Sequence, residues 1–547
     1  MRAPVNSNSA MNKLLLAGLI LLASLAAACG GGSSSTSGTG GGGSGTVPQG
    51  ATYSTSSVSG TYAFQMSGSD GSGLPISRIG SFVADGQGNI TAAIEDVNDG
   101  GSSSTFVFTA APSSNYTVGT DGKGVLTLVH PDATVAGAVD TFTFTIALNS
   151  TSGGLMVETD GSSTMSGNFQ LQAVSTTFAG SYAFDFTGVD LGSSNSASFI
   201  GEFTTNSTSA ITGGQMDVND GASPSGVLTI SPGTITQDPT NFSTFGRGTL
   251  NLSTSINSQL LNLTYVFYVV DNSHLIFVEN DSIAETSGSA IAQTNVPTTL
   301  AAFPDSFVFA VGGGAFGSGT FGSLAGVGRF TASASGAISN LSLDEDFSGG
   351  VYTFPFSGGF SNVTYTIDAG GSGRGTLNFT DVTRNQPFVF VFYMASPTQG
   401  FMQDDSGNVV ADGSIQAQSG TFSASSMAGT YAVNWSGTNL STGFEEDFVG
   451  VLPISNAATN NISNGVVDFT ELGVGKIYTG IPVSGLFTIQ GDGTLGGASG
   501  NALQLTTGGN VPSTTFNFRA YLVNQNTIIL MGVDSNRVVI GTALRQQ

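Results

Sequence analysis

The sequence predicts an all-β protein made of four tandem antiparallel meander domains. Three observations support this: the composition is poor in helix formers, apolar side chains alternate with the two-residue period of a strand, and a pattern returns about every 120 residues. The chain has 547 residues, of which 39% are apolar, 9% are aromatic and only 9% are charged, with 79 Gly and 16 Pro. A chain of this length is too long for one hydrophobic core, so we expect several packed domains.

The charge balance excludes a broad class of partners. Twelve Lys and Arg residues stand against 36 Asp and Glu residues, which gives a formal net charge of −24. A field of that sign repels phosphate backbones and anionic lipid. We therefore expect no nucleic-acid partner.

The first element is a targeting segment. Arg2 and Lys13 precede an apolar run from Leu14 to Ala28. That run of about 15 residues has the length of a signal-peptide core and is short for a membrane span. The sequence therefore predicts a signal peptide over residues 1–28 and export from the cytoplasm.

The signal ends in a motif with one cysteine. Residues 25–29 read Leu-Ala-Ala-Ala-Cys, and Cys29 is the only cysteine of the chain. This motif resembles the lipobox of bacterial lipoproteins, in which the cysteine is lipidated and becomes the mature N-terminus. The resemblance implies a lipid anchor at Cys29 and, because Gly30 is not the Asp that commonly retains such proteins at the inner membrane, an outer-membrane location that faces the periplasm or the cell surface. The alternative is a cleaved signal peptide with an incidental cysteine.

A flexible tether follows the cysteine. Residues 30–45 are almost entirely Gly, Ser and Thr, a composition that cannot bury a core. We assign residues 29–57 to the lipidated cysteine and this tether, which reaches roughly 30 Å by the square-root rule for Gly-rich chains.

Three sequence markers then recur in one order, four times each. The markers begin at residues 60, 180, 305 and 429 (Gly-Thr-Tyr-Ala-Phe and its variants), at 96, 217, 344 and 468 (Asp-Val-Asn-Asp-Gly and its variants), and at 157, 278, 402 and 531 (Val-Glu-Thr-Asp and its variants). We therefore predict four β repeats, over residues 58–175, 178–295, 303–420 and 427–547. The connectors between them are short, so we expect a semi-rigid string of domains.

Each repeat contains strands and tight turns. Tyr62, Phe64 and Met66 alternate with smaller or polar residues, as in a half-buried strand. Asp85–Gly88 and Asp121–Gly124 place glycines where a hairpin needs positive φ. The first repeat is predicted to have eight strands, near residues 60–67, 78–84, 89–97, 105–118, 124–130, 140–148, 153–159 and 165–172.

Eight strands in sequence form a meander, and a meander hides its edges by closing into an up-and-down barrel. The Gly60-Thr61-Tyr62 start and the hairpin from Gly80 resemble those of calycin-like barrels, the lipocalin and streptavidin type. This resemblance covers the start of each repeat, implies eight-stranded barrels and supplies no ligand-binding residue. The alternatives are β-sandwiches and an eight-bladed propeller.

The repeated ionisable residues are carboxylates. They are Asp96, Asp99, Glu158 and Asp160 in the first repeat and Asp217, Asp220, Glu279 and Asp281 in the second. Hard cations take carboxylate oxygens, so Asp96 and Asp99, with Asp217 and Asp220, are candidate calcium ligands. The alternative is that these acids cap strand ends and satisfy turn N–H groups.

A basic residue between two glycines is also repeated. Lys123, Arg247 and Arg374 occupy this position in the first three repeats. We predict that they form structural ion pairs with an acid of the same or an adjacent repeat, with Glu158 and Glu279 among the candidates. The alternative is a site for an anion or a sugar acid.

Catalytic patterns are weak. His130 and His274 fall at different points of different repeats, and no phosphate-binding loop precedes a helix. We therefore expect a monomeric, non-enzymatic, lipid-anchored envelope protein that acts in adhesion, ligand capture or scaffolding, without a cofactor and with a polysaccharide or an envelope protein as partner. The alternative is a calcium-dependent carbohydrate-binding protein or a glycoside hydrolase with paired carboxylates.

Overall fold

The computed structural model describes residues 51–547 except 111, 132–137, 194, 257–258, 304, 318–319, 356–357, 457–460, 490–492, 496–502 and 510–513. The predicted signal peptide, Cys29 and most of the tether lie outside the described residues. Within the described part, no helix is long and apolar enough to cross a membrane.

Four antiparallel sheets follow one another along the chain. The first contains β1 (Ser59–Asp70), β2 (Pro75–Asp85), β3 (Ile90–Asp99), β4 (Ser102–Val107), β5 (Asn115–Val118), β6 (Lys123–Pro131), β7 (Val139–Ser150), β8 (Gly153–Glu158) and β9 (Ser163–Leu171). The second contains β10 (Gly180–Asp190), β11 (Asn195–Thr205), β12 (Ala210–Asp220), β13 (Ser223–Gln237), β14 (Arg247–Ile256), β15 (Gln259–Asp271), β16 (His274–Glu279) and β17 (Ala284–Ala292).

The third sheet contains β18 (Asp305–Gly317), β19 (Thr320–Ala332), β20 (Ile338–Phe347), β21 (Gly350–Phe354), β22 (Phe360–Ile367), β23 (Arg374–Asp381), β24 (Gln386–Ser396), β25 (Gln399–Asp404) and β26 (Val409–Ala417). The fourth contains β27 (Gly429–Asn439), β28 (Phe444–Ile454), β29 (Ile462–Glu471), β30 (Lys476–Phe487), β31 (Thr494–Leu495), β32 (Leu503–Thr507), β33 (Thr515–Asn524), β34 (Thr527–Gly532) and β35 (Arg537–Arg545). The described helical pieces are one short helix, α1 (Phe242–Phe245), and 3₁₀ turns at Thr55–Ser57, Leu300–Ala302 and Leu472–Val474.

The first strand of each sheet pairs with the last, so each meander curls back on itself. These pairs are β1–β9, β10–β17, β18–β26 and β27–β35. The second sheet is a closed barrel of eight strands, and the pairing of β33 with β34 closes the fourth. The predicted meander barrels are confirmed, and the chain adopts neither the sandwich nor the propeller. Among the described residues, no ladder pairs the end strands of the first sheet, β4 and β5, or those of the third, β21 and β22. We call the four sheets barrels 1 to 4.

The strand predicted at 105–118 is two strands, β4 and β5. Pro112 lies between them and has no N–H to give to a ladder, and the ladder is interrupted around it. Backbone bonds from Ile90 N to Ser114 O and from Thr109 N to Val129 O hold the two sides of the break. Pro355 follows β21 in barrel 3, whereas β13 of barrel 2 runs through Pro224 and Pro232, with a register shift against β14 between Ser231 and Thr234.

The interior of each barrel is filled by its own side chains. In barrel 1, Tyr62, Phe64 and Met66 point inward and are at most 3% exposed. Barrels 2, 3 and 4 have equivalent apolar cores. Burial of one Phe contributes roughly 1.5–3 kcal/mol, so each buried aromatic side chain stabilises its barrel.

The outer faces of the barrels also pack on one another. Ile79 and Ile94 of barrel 1 contact Val266 of barrel 2, and similar apolar clusters join barrel 2 to barrel 3 and barrel 3 to barrel 4. A fourth cluster joins barrel 4 to barrel 1, for example Val451 with Val157. The four barrels therefore form a closed ring rather than the predicted string, because apolar residues on the outer faces need a neighbour.

The ring has two different rims. Residues 51–58, the linkers between barrels and the C-terminus lie at the end where the first strand of each barrel begins, and we call this end the linker rim. Tyr53 Oη donates to the carbonyl of Gln547 there, at 3.1 Å. The opposite end carries the turns β1–β2, β3–β4, β8–β9 and their equivalents, and we call it the hairpin rim.

Candidate functional site

The predicted ion-pair residue Arg247 lies at the contact between barrels 1 and 2. Its Nε and Nη2 atoms donate to the two carboxylate oxygens of Asp96, at 2.8 and 2.7 Å. Tyr268 Oη donates to the same carboxylate at 2.7 Å, and Asp96 is only 3% exposed. Arg247 pairs with Tyr268 across β14 and β15, so the sheet holds both donors side by side.

The same arrangement returns at the next contact. Arg374 of barrel 3 donates from Nε and Nη2 to Asp217 of barrel 2, at 2.8 and 2.9 Å, and Tyr393 Oη donates to it at 2.7 Å. At the contact that closes the ring, Lys123 and Thr145 of barrel 1 donate to Asp468 of barrel 4.

The contact between barrels 3 and 4 uses a different cation. Thr494 occupies the position of Arg247 opposite the tyrosine, here Tyr521, which donates to Asp344 at 2.7 Å. Arg519, two residues before Tyr521, lies 3.9 Å from Asp344. One acid–cation arrangement therefore joins each barrel to the next, all the way around the ring.

Electrostatics keep these donors in their donating states. The hydrogen bond to Asp96 raises the pKa of the Arg247 guanidinium, so it stays charged. Burial raises the pKa of the Tyr268 and Tyr393 hydroxyls, so both stay protonated. The arrangement can clamp two barrels together, and it offers no free acid or base for a reaction.

The structure does not bring the candidate calcium ligands together. Both oxygens of Asp96 and of Asp217 accept from a guanidinium. Asp99 and Asp220 lie instead at the hairpin rim, where β3 and β12 end. Among the described residues, no group of three or more His, Cys, Asp or Glu side chains is placed to hold a metal ion.

Glu158 and Glu279 are not the partners of these cations. Glu279 lies inside barrel 2, accepts from Thr286 at 2.5 Å, and has a pKa raised to about 8 by burial. Glu158 lies inside barrel 1 and accepts from Ser162 and Ser163.

A second cluster in barrel 1 surrounds Arg78. Its Nη1 atom lies 3.2 Å from Glu95, its Nε atom lies 3.8 Å from Glu158, and the guanidinium stacks on Phe142 at 4.2 Å. Arg78 is 5% exposed and both glutamates are fully buried; burial raises the pKa of Glu95 to about 7, against the opposing charge of Arg78. The guanidinium sits between the two carboxylates, where a glycoside hydrolase would need its substrate.

Neither histidine joins a shared site. His130 is buried in barrel 1, stacked on Phe142, with Nε2 at 3.6 Å from Asp140. His274 is buried in barrel 2, and burial lowers its pKa to about 4, so it is neutral at pH 7.

A repeated glutamine that was not predicted from the sequence also joins the barrels. The residue directly after the last strand of each barrel is a glutamine, and its Nε2 atom donates to one or two backbone carbonyls of the next barrel around the ring: Gln172, Gln293, Gln418 and Gln546. Gln546 makes this contact with barrel 1, so the end of the chain closes the ring as the internal linkers do. The signal was present in the sequence, since a glutamine directly follows each last strand.

The comparisons with known proteins are sparse. No family model matches the chain, and no curated protein matches it. Among solved structures it is similar to one described as intact Ap-TbpB with its N and C lobes, at 11% identity over 72% of this chain and 84% of that chain. The TM-score is 0.15, which carries no argument about function.

Proposed function

We propose that this protein is a non-enzymatic, lipid-anchored envelope protein whose closed ring of barrels is a rigid platform for adhesion, ligand capture or scaffolding. The observation that carries the proposal is the ring itself. Each contact combines an apolar cluster, an acid–cation pair and a glutamine bridge, so the barrels hold fixed positions. Because the barrel interiors are filled by side chains, binding falls to the outer surface.

The position of the tether orients the platform. Residues 51–58 lie at the linker rim, next to the C-terminal Gln547. A lipid at Cys29 then attaches the linker rim to the membrane through a tether of roughly 30 Å. The hairpin rim faces away from the membrane, toward a polysaccharide or a protein of the envelope.

The anchor is tested by Cys29→Ser. We expect the variant to move from the membrane fraction to the soluble fraction, because the lipid can no longer be attached. Ser33→Ala, in the same tether, is the matched control and should stay with membranes. Membrane retention of the Cys29→Ser variant would contradict the anchor.

The non-enzymatic proposal is tested with envelope polysaccharide. The purified protein should sediment with the polymer without releasing reducing sugar. Sugar release that is abolished by Glu158→Gln would establish a glycoside hydrolase and overturn the proposal.

A further inference from the structure

The hairpin rim is more apolar than the rest of the exposed surface. Among the described residues, most large apolar side chains that are exposed lie in or beside the turns of this rim: Leu74, Val139, Leu260, Ile283, Phe316, Val382 and Val474. Single exposed apolar residues are ordinary on protein surfaces. Their concentration on one rim, opposite the tether, is what requires an explanation.

Two of these side chains, with the half-buried Leu191, form one surface where barrels 1 and 2 meet. Leu74 is 50% exposed and Ile283 is 43% exposed. Leu74 lies beside Gly100, and Leu191 of barrel 2 lies against Gly101, so closely that a Cβ on Gly101 would be 2.4 Å from Leu191. The backbone N–H of Leu191 donates to the carbonyl of Ile283 at 3.1 Å. We call Leu74, Leu191 and Ile283 the seam patch.

Acids surround the seam patch. Asp70 and Asp99 stand at the turns of barrel 1, and Asp190 and Asp220 stand at the equivalent turns of barrel 2. Burial raises the pKa of Asp99, and the charge of Asp70 raises it further; Asp190 has the same effect on Asp220. One oxygen of Asp220 is buried without a hydrogen-bond partner. The carboxylates of each pair repel one another, and this repulsion costs free energy. A positively charged group from another molecule would reduce it.

The charge of Arg78 offsets only part of this effect, since it lowers the pKa of Asp99 while burial and Asp70 raise it. Arg78 is buried inside barrel 1 and is held by Glu95 and Glu158. A second copy of the chain brings the same excess of acids, and anionic lipid is repelled by these carboxylates. The complementary surface is apolar at its centre and basic at its border.

We propose that the seam patch binds a protein segment that carries apolar side chains between lysine or arginine residues. The apolar side chains cover Leu74, Leu191 and Ile283, and the basic residues neutralise the acid pairs Asp70/Asp99 and Asp190/Asp220. This deepens the proposed function, since it rests on the hairpin rim facing away from the membrane, and it names the partner class of that platform.

The test uses the full chain carrying Cys29→Ser, so that lipid does not contribute, and a short fluorescent peptide of alternating lysine and leucine. We expect Asp99→Asn with Asp220→Asn to weaken peptide binding about fivefold to tenfold, because two favourable charge contacts are lost. Asp121→Asn with Asp368→Asn removes the same charge at the linker rim and should leave the affinity unchanged. Leu74→Ser with Ile283→Ser should also weaken binding, and the unchanged melting temperature of each variant shows that it is folded.

Three results would overturn the proposal. In the first, Asp121→Asn with Asp368→Asn weakens peptide binding as much as Asp99→Asn with Asp220→Asn does. In the second, a lysine–serine peptide without apolar residues binds as tightly as the lysine–leucine peptide. In the third, the protein binds zwitterionic lipid vesicles more tightly than the lysine–leucine peptide. Because the protein in this assay carries Cys29→Ser and has no lipid anchor, failure of the assay is separate from failure of the anchor test.

Discussion

At the scale of single residues, Arg374 provides an internal comparison of buried and exposed partners. Its guanidinium contacts Asp217, which is buried between barrels, and lies 3.5 Å from Asp368, whose side chain is 39% exposed. Asp217→Asn leaves the guanidinium partly buried without its counter-charge, so we expect a loss of about 3–5 kcal/mol in the free energy of unfolding. Asp368→Asn should cost less than about 1 kcal/mol, because water screens that pair. Urea unfolding of the two variants measures the difference, and equal losses would show that Asp217 is not a structural clamp.

Residue patterns in the sequence predicted part of this arrangement. Repetition singled out Lys123, Arg247 and Arg374, and their type predicted ion pairs. Which acids they meet depends on how neighbouring barrels pack, so Glu158 and Glu279 were candidates although the acids in contact are others. Arg78 was missed because it is not repeated: Phe199, Gly326 and Phe448 occupy its place in the other barrels.

At the scale of strands and linkers, the glutamine that follows the last strand of each barrel connects that barrel to the next. Gln293 donates to the carbonyls of Ser372 and Met394 of the next barrel, at 2.7 and 2.8 Å. Gln293→Met removes both donors and leaves two carbonyls short of a partner, so we expect a loss of about 1–3 kcal/mol in the free energy of unfolding. Gln87→Met, at an exposed turn, is the matched control and should cost little. Thermal unfolding measures the stability of both variants. If Gln293→Met leaves the free energy of unfolding unchanged, this glutamine does not hold the two barrels together.

The order of strands was predictable, and their exact ends were less so. Alternation in Tyr62, Phe64 and Met66 predicted a strand with the observed inward face. The break at Pro112 was visible in the sequence as a residue without an N–H, yet the apolar and aromatic residues on both sides favoured one long strand. Proline alone was not a sufficient signal for the break, because β13 of barrel 2 continues through Pro224 and Pro232.

At the scale of the whole molecule, ring closure could not be read from the sequence. Short linkers predict only that neighbours are close. Closure depends on the angle between the two faces that each barrel offers, one formed by its first strands and the other by its last. The sequence indicates contact between barrels only through apolar residues on outward positions, such as Ile79 and Val266. An isolated barrel would expose these residues to water.

The ring also buries acids at its contacts. Asp185 of barrel 2 lies against Asp412 of barrel 3, and Glu445 and Asp447 of barrel 4 face barrel 1, where Ser69 donates to Glu445 at 2.7 Å. Burial raises the pKa of Asp185, and the neighbouring Asp412 raises it further. Burial likewise raises the pKa of Glu445 and Asp447. Two carboxyl groups in contact can share a hydrogen bond only while one of them holds a proton.

These groups predict that the protein is more stable in mild acid than in mild alkali. In the unfolded chain the carboxyls release their protons near pH 4, whereas in the folded ring they hold them to higher pH; the pKa of the interior Glu345, for example, is about 8. Between those values the folded state binds more protons, so its stability falls as pH rises, by about 1.4 kcal/mol per pH unit for each such group. The free energy of unfolding in urea should therefore decrease from pH 5 to pH 8. Asp185→Asn should make that decrease smaller, whereas Asp121→Asn, at an exposed turn, should leave it unchanged. Stability that rises with pH, or the same slope in Asp185→Asn as in the parent protein, would show that the contact between barrels 2 and 3 does not hold a proton.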